Sequence, residues 1–194
     1  MAKPRWLDER EAHLWRSWLR LNQEVLSILE EQINREGGLS GADYAVLVPL
    51  SAAPDGMLRA RELGREILWD RSRLSHQLGR MEKRGLVVRE ECVEDARGAM
   101  VRMTDAGRAA IQRAAPGHVA ATRRYFFDHL SNKEVDQLTT VFDRVLANLD
   151  GDDGTNRRRD SDGRPAMADT ALSSLAPRGR RAPRPAPTAH ERGG

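Results

Sequence analysis

The hydrophobic period of this 194-residue chain breaks at Gly85, and that break constrains the fold more than any other feature. Upstream, the apolar residues recur at helical spacing. From Leu86 to Thr104 the chain reads LVVREECV and AMVRMT, two β-type runs separated by the polar EDARG, which is the pattern of a hairpin. After Thr104 the helical period returns. Leu7, Leu14, Leu21 and Ile28, with Trp18, Val25 and Leu29 beside them, form a helical stripe over 6–36 that would run some 45 Å. Gly37-Gly38 stops it, and Ser40 with Asp43 resembles a cap for the nearly all-apolar helix DYAVLVPLSA. Pro54-Asp55-Gly56 is a turn, followed by a short helix over LRARELGREI. Asp70 caps RSRLSHQLGRMEKR, whose inner face is Leu74, Leu78 and Met81 and which Gly85 ends. Thr104 caps a helix carrying Ile111, Val119, Tyr125, Phe126 and Leu130, with a kink expected at Pro116-Gly117. SNKE (Ser131 to Glu134) is a capping box that opens a last helix with Val135, Leu138, Val141, Phe142, Val145, Leu146 and Leu149.

Charge adds a second constraint. Residues 1–150 hold 23 basic and 23 acidic side chains, so the net +3 comes from 151–194. Within the neutral part, Arg59 to Arg89 carries nine cations against four acids, a candidate anion-facing surface. The segment 151–194, with six Gly, five Pro and no aromatic residue, reads as a disordered Arg/Pro/Gly-rich tail. No stretch is apolar enough to span a membrane, and the N-terminal MAKPRWLDEREAHLW has charges where a signal peptide needs an apolar run, so a cytoplasmic protein without membrane partners is expected. A single cysteine, Cys92, excludes an internal disulfide and a multi-thiolate metal site.

Two short helices in tandem followed by a hairpin is the order of a winged helix-turn-helix. If Leu58, Leu63 and Ile67 pack on Leu74, Leu78 and Met81, then Arg71, Ser72, Arg73, Ser75 and His76 face outward near the helix start, the end that enters the major groove in this motif. Arginine binds guanine edges in bidentate fashion, serine reaches base or phosphate, and backbone amides at a helix start favour phosphate. Arg80, Lys83 and Arg84 suit phosphates. At the hairpin tip Arg97 suits the narrow minor groove, with Asp95 placed to hold its guanidinium. The expected partner is double-stranded DNA.

The run LGREILWDRSRLSHQLGRMEKRGLVVREECVEDARGAMVRMTDAG resembles the MarR family of bacterial regulators. The matching pieces are Asp70-Arg71-Ser72, Met81-Glu82, Arg84-Gly85-Leu86-Val87, Asp95-Ala96-Arg97 and Met103-Thr104-Asp105-Ala106-Gly107, while LSGADYAVLVPL matches the family's helix ahead of them. The likeness covers about residues 10–149. Arg73, where the family often has Thr, and His76, where a basic residue such as Arg is common, depart from it and bear on the operator sequence. The resemblance implies a homodimer whose N-terminal and last two helices interlock while each winged lobe reads half of a pseudo-palindrome. Fold class is therefore mainly α with a small β-hairpin wing: a dimerisation helix over 1–36, a winged helix-turn-helix over 37–104, C-terminal dimerisation helices over 105–150 and the tail over 151–194. It implies a ligand-responsive repressor, with Trp15, Trp18, Tyr44 and Trp69 as candidates to line a small-molecule effector site.

The competing readings are a winged-helix protein-interaction module and a redox regulator. Glu90, Glu91 and Glu94 around Cys92 disfavour a thiolate there. The five histidines are scattered without ligand spacing, so no metal is expected; His76 is read as a DNA contact. No nucleophile elbow, phosphate loop or dinucleotide fingerprint occurs, so neither catalytic residues nor cofactors are expected.

Overall fold

The computed structural model describes residues 5–91 and 99–152. Chain order is α1 (Glu9–Gly37), α2 (Gly41–Ala52), a 3-10 turn at Pro54–Gly56, β1 (Met57–Arg59), α3 (Ala60–Glu66), α4 (Arg71–Lys83), β2 (Val87–Glu91), β3 (Ala99–Met103), α5 (Asp105–Tyr125), a second 3-10 turn at Phe127–His129, and α6 (Asn132–Asp152).

Local chemistry sets most of these boundaries. Asp8, Ser40, Asp70 and Thr104 each accept a backbone N–H of the first turn that follows, satisfying donors a helix start leaves unpaired. Asp8 with Glu11 and Ser40 with Asp43 complete reciprocal capping boxes. Ser131 and Glu134 bond each other likewise ahead of α6. Gly38, with φ +65, closes α1. At the end of α4, Leu86 N–H donates to Met81 O (3.0 Å) and Gly85 N–H to Glu82 O (2.9 Å), the paired bonds of a Schellman stop.

Three expectations are corrected. The helix expected over 58–67 begins only at Ala60, because Met57, Leu58 and Arg59 pair antiparallel with Arg102, Val101 and Met100. The expected two-stranded hairpin is thus a three-stranded sheet in the order β1-β3-β2. Ladder bonds to a strand more than forty residues away outweigh local helix propensity in so short a stretch. The helix expected to reach Leu130 ends at Tyr125, where Phe126 leaves helical dihedrals (φ −132, ψ −65). Before that end, α5 passes Pro116 without interruption.

The core lies between α2, α3, α4, the sheet and the start of α5. Leu39, Val46, Leu47, Leu50, Leu63, Ile67, Leu74, Leu78, Met81, Val87, Val101 and Ile111 are buried in one cluster. The C-terminal third of α1 packs on α5 through Leu29, Ile33 and Gly37. A Cβ on Gly37 would come within 2.9 Å of Ala114 Cβ, so glycine sets how closely the two helices approach. Gly107 fills a similar role at the start of α5, where a side chain would meet the Leu86 carbonyl. The rest of α1 and nearly all of α6 stay outside the core: Leu14, Trp15, Trp18, Leu26, Phe142, Val145, Leu146 and Leu149 are exposed. Asp95, Arg97, Cys92 and residues 153–194 lie outside the described residues; α6 itself continues through Asp152.

Candidate nucleic-acid interface

The presentation of α4 follows from its burial pattern. Leu74, Gln77, Leu78 and Met81 are buried, which anchors one face of the helix in the core. Arg71, Ser72, Arg73, Ser75, His76, Arg80 and Lys83 are exposed on the remaining surface. Asp70 fixes the entry: its Oδ1 accepts the Arg73 N–H at 2.9 Å. Arg71, Ser72, Ser75 and His76 have no side-chain hydrogen bond among the described residues, so the first two turns of α4 offer donors outward. Arg80 donates to Gln77 Oε1 while staying exposed.

Arg84 and Arg89, both in the basic stretch, are committed inside the chain. Arg84 donates to Asp43 Oδ2 and to Gly38 O, both at 2.5 Å, so its guanidinium is turned toward the α1–α2 junction. Asp43 is buried; it also accepts from Gln77 Nε2 (2.7 Å) and from the Ser40 N–H (2.9 Å). A buried carboxylate is tolerated because three donors, from Ser40, Gln77 and Arg84, converge on it. Arg89 donates through Nε (2.9 Å), a terminal nitrogen (2.5 Å) and its backbone N–H (3.0 Å) to Glu82, tying the end of α4 to β2. Those bonds hold the Glu82 carboxyl below its ordinary range and raise Arg89. On the sheet, Arg102 pairs with Glu90.

The aromatic candidates occupy three places. Trp15 and Trp18 stack on each other on the exposed part of α1, centroids 5.2 Å apart. Tyr44 is buried in α2, its ring 4.7 Å from that of His118 on α5. Trp69, half-buried in the α3–α4 turn, carries the Arg73 guanidinium over its ring at 4.1 Å. No ring contact among the described residues joins these three places. The Tyr44 hydroxyl and His118 Nδ1 are buried with no hydrogen-bond partner among the described residues. Burial pushes the Tyr44 phenol up to about 12 and the His118 imidazole below its ordinary value. Nothing local in the sequence marks His118, because its link to Tyr44 crosses 74 positions.

Comparison with known proteins places this geometry. Residues 37–98, which span α2 to the wing, match the sequence profile of the MarR family. A crystal structure of Sco3205, a MarR family transcriptional regulator from Streptomyces coelicolor in complex with DNA, is 37% identical, with a TM-score of 0.71 over 74% of this chain and 94% of that one. AbsC, a MarR family regulator from the same organism, is 35% identical, with a TM-score of 0.73 over 76% of this chain and 99% of that one. An uncharacterized HTH-type transcriptional regulator of Bacillus subtilis, YkoM, is 27% identical over 139 residues, covering 71% of this chain and 86% of its own. With a sheet-braced α4, an outward cationic start to that helix, and relatives of this identity matched over nearly their full length, the chain belongs to the MarR family of DNA-binding transcriptional regulators.

Proposed function

We propose that the protein is a homodimeric, sequence-specific operator-binding repressor that a small-molecule effector releases from DNA. The observation that carries the DNA reading is the exposed start of α4. Arg71, Ser72, Arg73, Ser75 and His76 present donors on a helix whose opposite face is locked in the core, so the helix enters a major groove without rearranging. Arg80 and Lys83 follow on the same exposed surface for phosphates. Sco3205, solved with DNA, is the relative that supports this assignment. Asp95 and Arg97 are assigned to the wing tip from sequence, with Arg97 in the adjacent minor groove. Arg84 is given the role of bracing α4 from behind, in place of a phosphate contact.

Effector response is proposed from the Tyr44–His118 pair. Two buried polar atoms with no partner among the described residues cost folding free energy, and a ligand that bonds them recovers it. Such a ligand weakens DNA binding only through different affinities for the two arrangements of the recognition helices.

A mobility shift on duplex DNA from upstream of the protein's own gene, at a stated salt concentration, tests the reading. Wild type should bind with a steep salt dependence. Arg71→Ala should weaken the operator complex by about 1–3 kcal/mol, and Lys83→Ala should weaken all sequences alike and flatten the salt slope by about one. Salt-independent or absent binding would identify a protein-interaction module instead.

A further inference from the structure

The turn into α4 does more than connect two helices. Leu68 adopts φ +56, a left-handed conformation uncommon for a branched apolar side chain. Two bonds impose it: Leu68 N–H donates to Arg65 O (3.2 Å) and Trp69 N–H to Gly64 O (2.8 Å), closing the end of α3. Gly64 keeps the turn tight, since a Cβ there would stand 3.3 Å from both the Trp69 carbonyl oxygen and Leu74 Cδ2. The chain reversal seats Trp69 against the core, one residue ahead of the Asp70 cap. Arg73 lies four positions on, and its guanidinium carbon sits 4.1 Å from the indole centroid. Arg73 is therefore pinned twice: its backbone by the cap carboxylate and its side chain by the ring.

Stacking matters for what arginine does on DNA. The donors of a guanidinium lie in its plane, and a ring beneath it occupies a face while leaving the donor edge free. Reading guanine O6 and N7 requires that edge to be held in one plane against the base. An unsupported arginine on an exposed helix must give up its rotamer freedom at the moment of binding; one already laid on a tryptophan has given up most of it.

We propose that Trp69 is a positioning residue for base reading: it orients Arg73 toward one base pair in each half-site, and the choice of base there depends on both residues. The inference rests on the DNA reading of α4 above. The test is site selection by the full-length chain from randomised duplexes, run for wild type, Trp69→Leu, Trp69→Phe, Arg73→Ala and the Trp69→Leu/Arg73→Ala double variant, with thermal melting alongside. Arg73→Ala should reduce discrimination at one position per half-site by about tenfold. Trp69→Leu should reduce it at the same position by about threefold or more and leave the other positions unchanged. The double variant should discriminate no worse than Arg73→Ala, because the two residues act on one contact. Trp69→Phe keeps an aromatic platform with a weaker face and should fall between wild type and Trp69→Leu; if the leucine variant does not fold, this variant decides. A purely structural tryptophan predicts a lower melting temperature and uniformly weaker binding with an unaltered base preference, and that outcome overturns the proposal. Wild-type protein that selects no sequence would instead overturn the DNA reading itself.

Discussion

His118 and Tyr44 give the residue scale its sharpest test. Both are held neutral by burial, the imidazole below its ordinary value and the phenol near 12. The sign for His118 follows from linkage. An imidazole whose folded pKa is depressed binds a proton more readily in the unfolded chain, so stability is complete above about 6.5 and declines as pH falls through that value toward the folded pKa. His118→Gln removes this term. Wild type should therefore lose more melting temperature between pH 7.5 and pH 5 than His118→Gln does; equal losses would show that burial of the imidazole carries no weight. Glu82 and Glu134, both lowered by hydrogen-bond donors, lose their contribution only below about 4.5, outside this window. Other groups cancel in the difference between the two proteins. Little of this was legible in the sequence. His118 looked like one of five scattered histidines, and Trp69 read as a ligand candidate, although its spacing from Arg73 of one helical turn across a cap residue was a signal in plain view.

At the level of helices and strands, most local signals were readable, though the Asp8–Glu11 box ahead of α1 and the stop at Phe126 were not. The oxygen side chains of Ser40, Asp70, Thr104 and Ser131 stand beside their helices, so caps could be read three residues at a time. The change of period at Gly85 marked the wing. What stayed hidden depends on distant partners: β1 exists because β3 offers it a ladder, and Asp43, read only as a cap, is also the acceptor that joins α2 to Gln77 and Arg84 of the α4 region. That second role makes a prediction. Asp43→Ala strips a buried acceptor from Gln77, leaves the half-exposed Arg84 with the Gly38 carbonyl but no carboxylate, and breaks the capping box of α2 together. Chemical denaturation should show a loss of about 2–3 kcal/mol, more than a cap alone supplies. Arg84→Ala, which removes the exposed partner but leaves Gln77 and the Ser40 N–H on the carboxylate, should cost less. Equal losses would mean the pair, and not the network, holds α4 in place.

The whole molecule raises the question of what covers its apolar exterior. Leu14, Trp15, Trp18 and Leu26 on α1 are exposed, and so are Val141, Phe142, Val145, Leu146 and Leu149 on α6. The α6 residues recur at three and four positions, one stripe along a helix in which, over 132–149, Val135 and Leu138 alone are partly buried. Two long stripes of this kind exceed what a monomer leaves in water, and the second copy proposed above is a cover that would also serve function. In that proposed dimer a twofold axis would set two α4 helices on one side of the assembly, about 34–36 Å apart, the spacing of successive major grooves. On that proposal, affinity for a pseudo-palindrome would depend on α6 through the dimer it holds together. Phe142→Glu combined with Leu146→Glu puts charge into the centre of the stripe while leaving the core of the winged lobe untouched, since neither residue belongs to it. Sedimentation should move from twice the 21.8 kDa chain mass to the single-chain value, with helical content and lobe stability largely preserved. Operator affinity should fall by a hundredfold or so, about 2.7 kcal/mol, because each half-site is then bound alone. A variant that sediments as a monomer and still holds a full operator at wild-type strength would show that the recognition helices need no twofold frame.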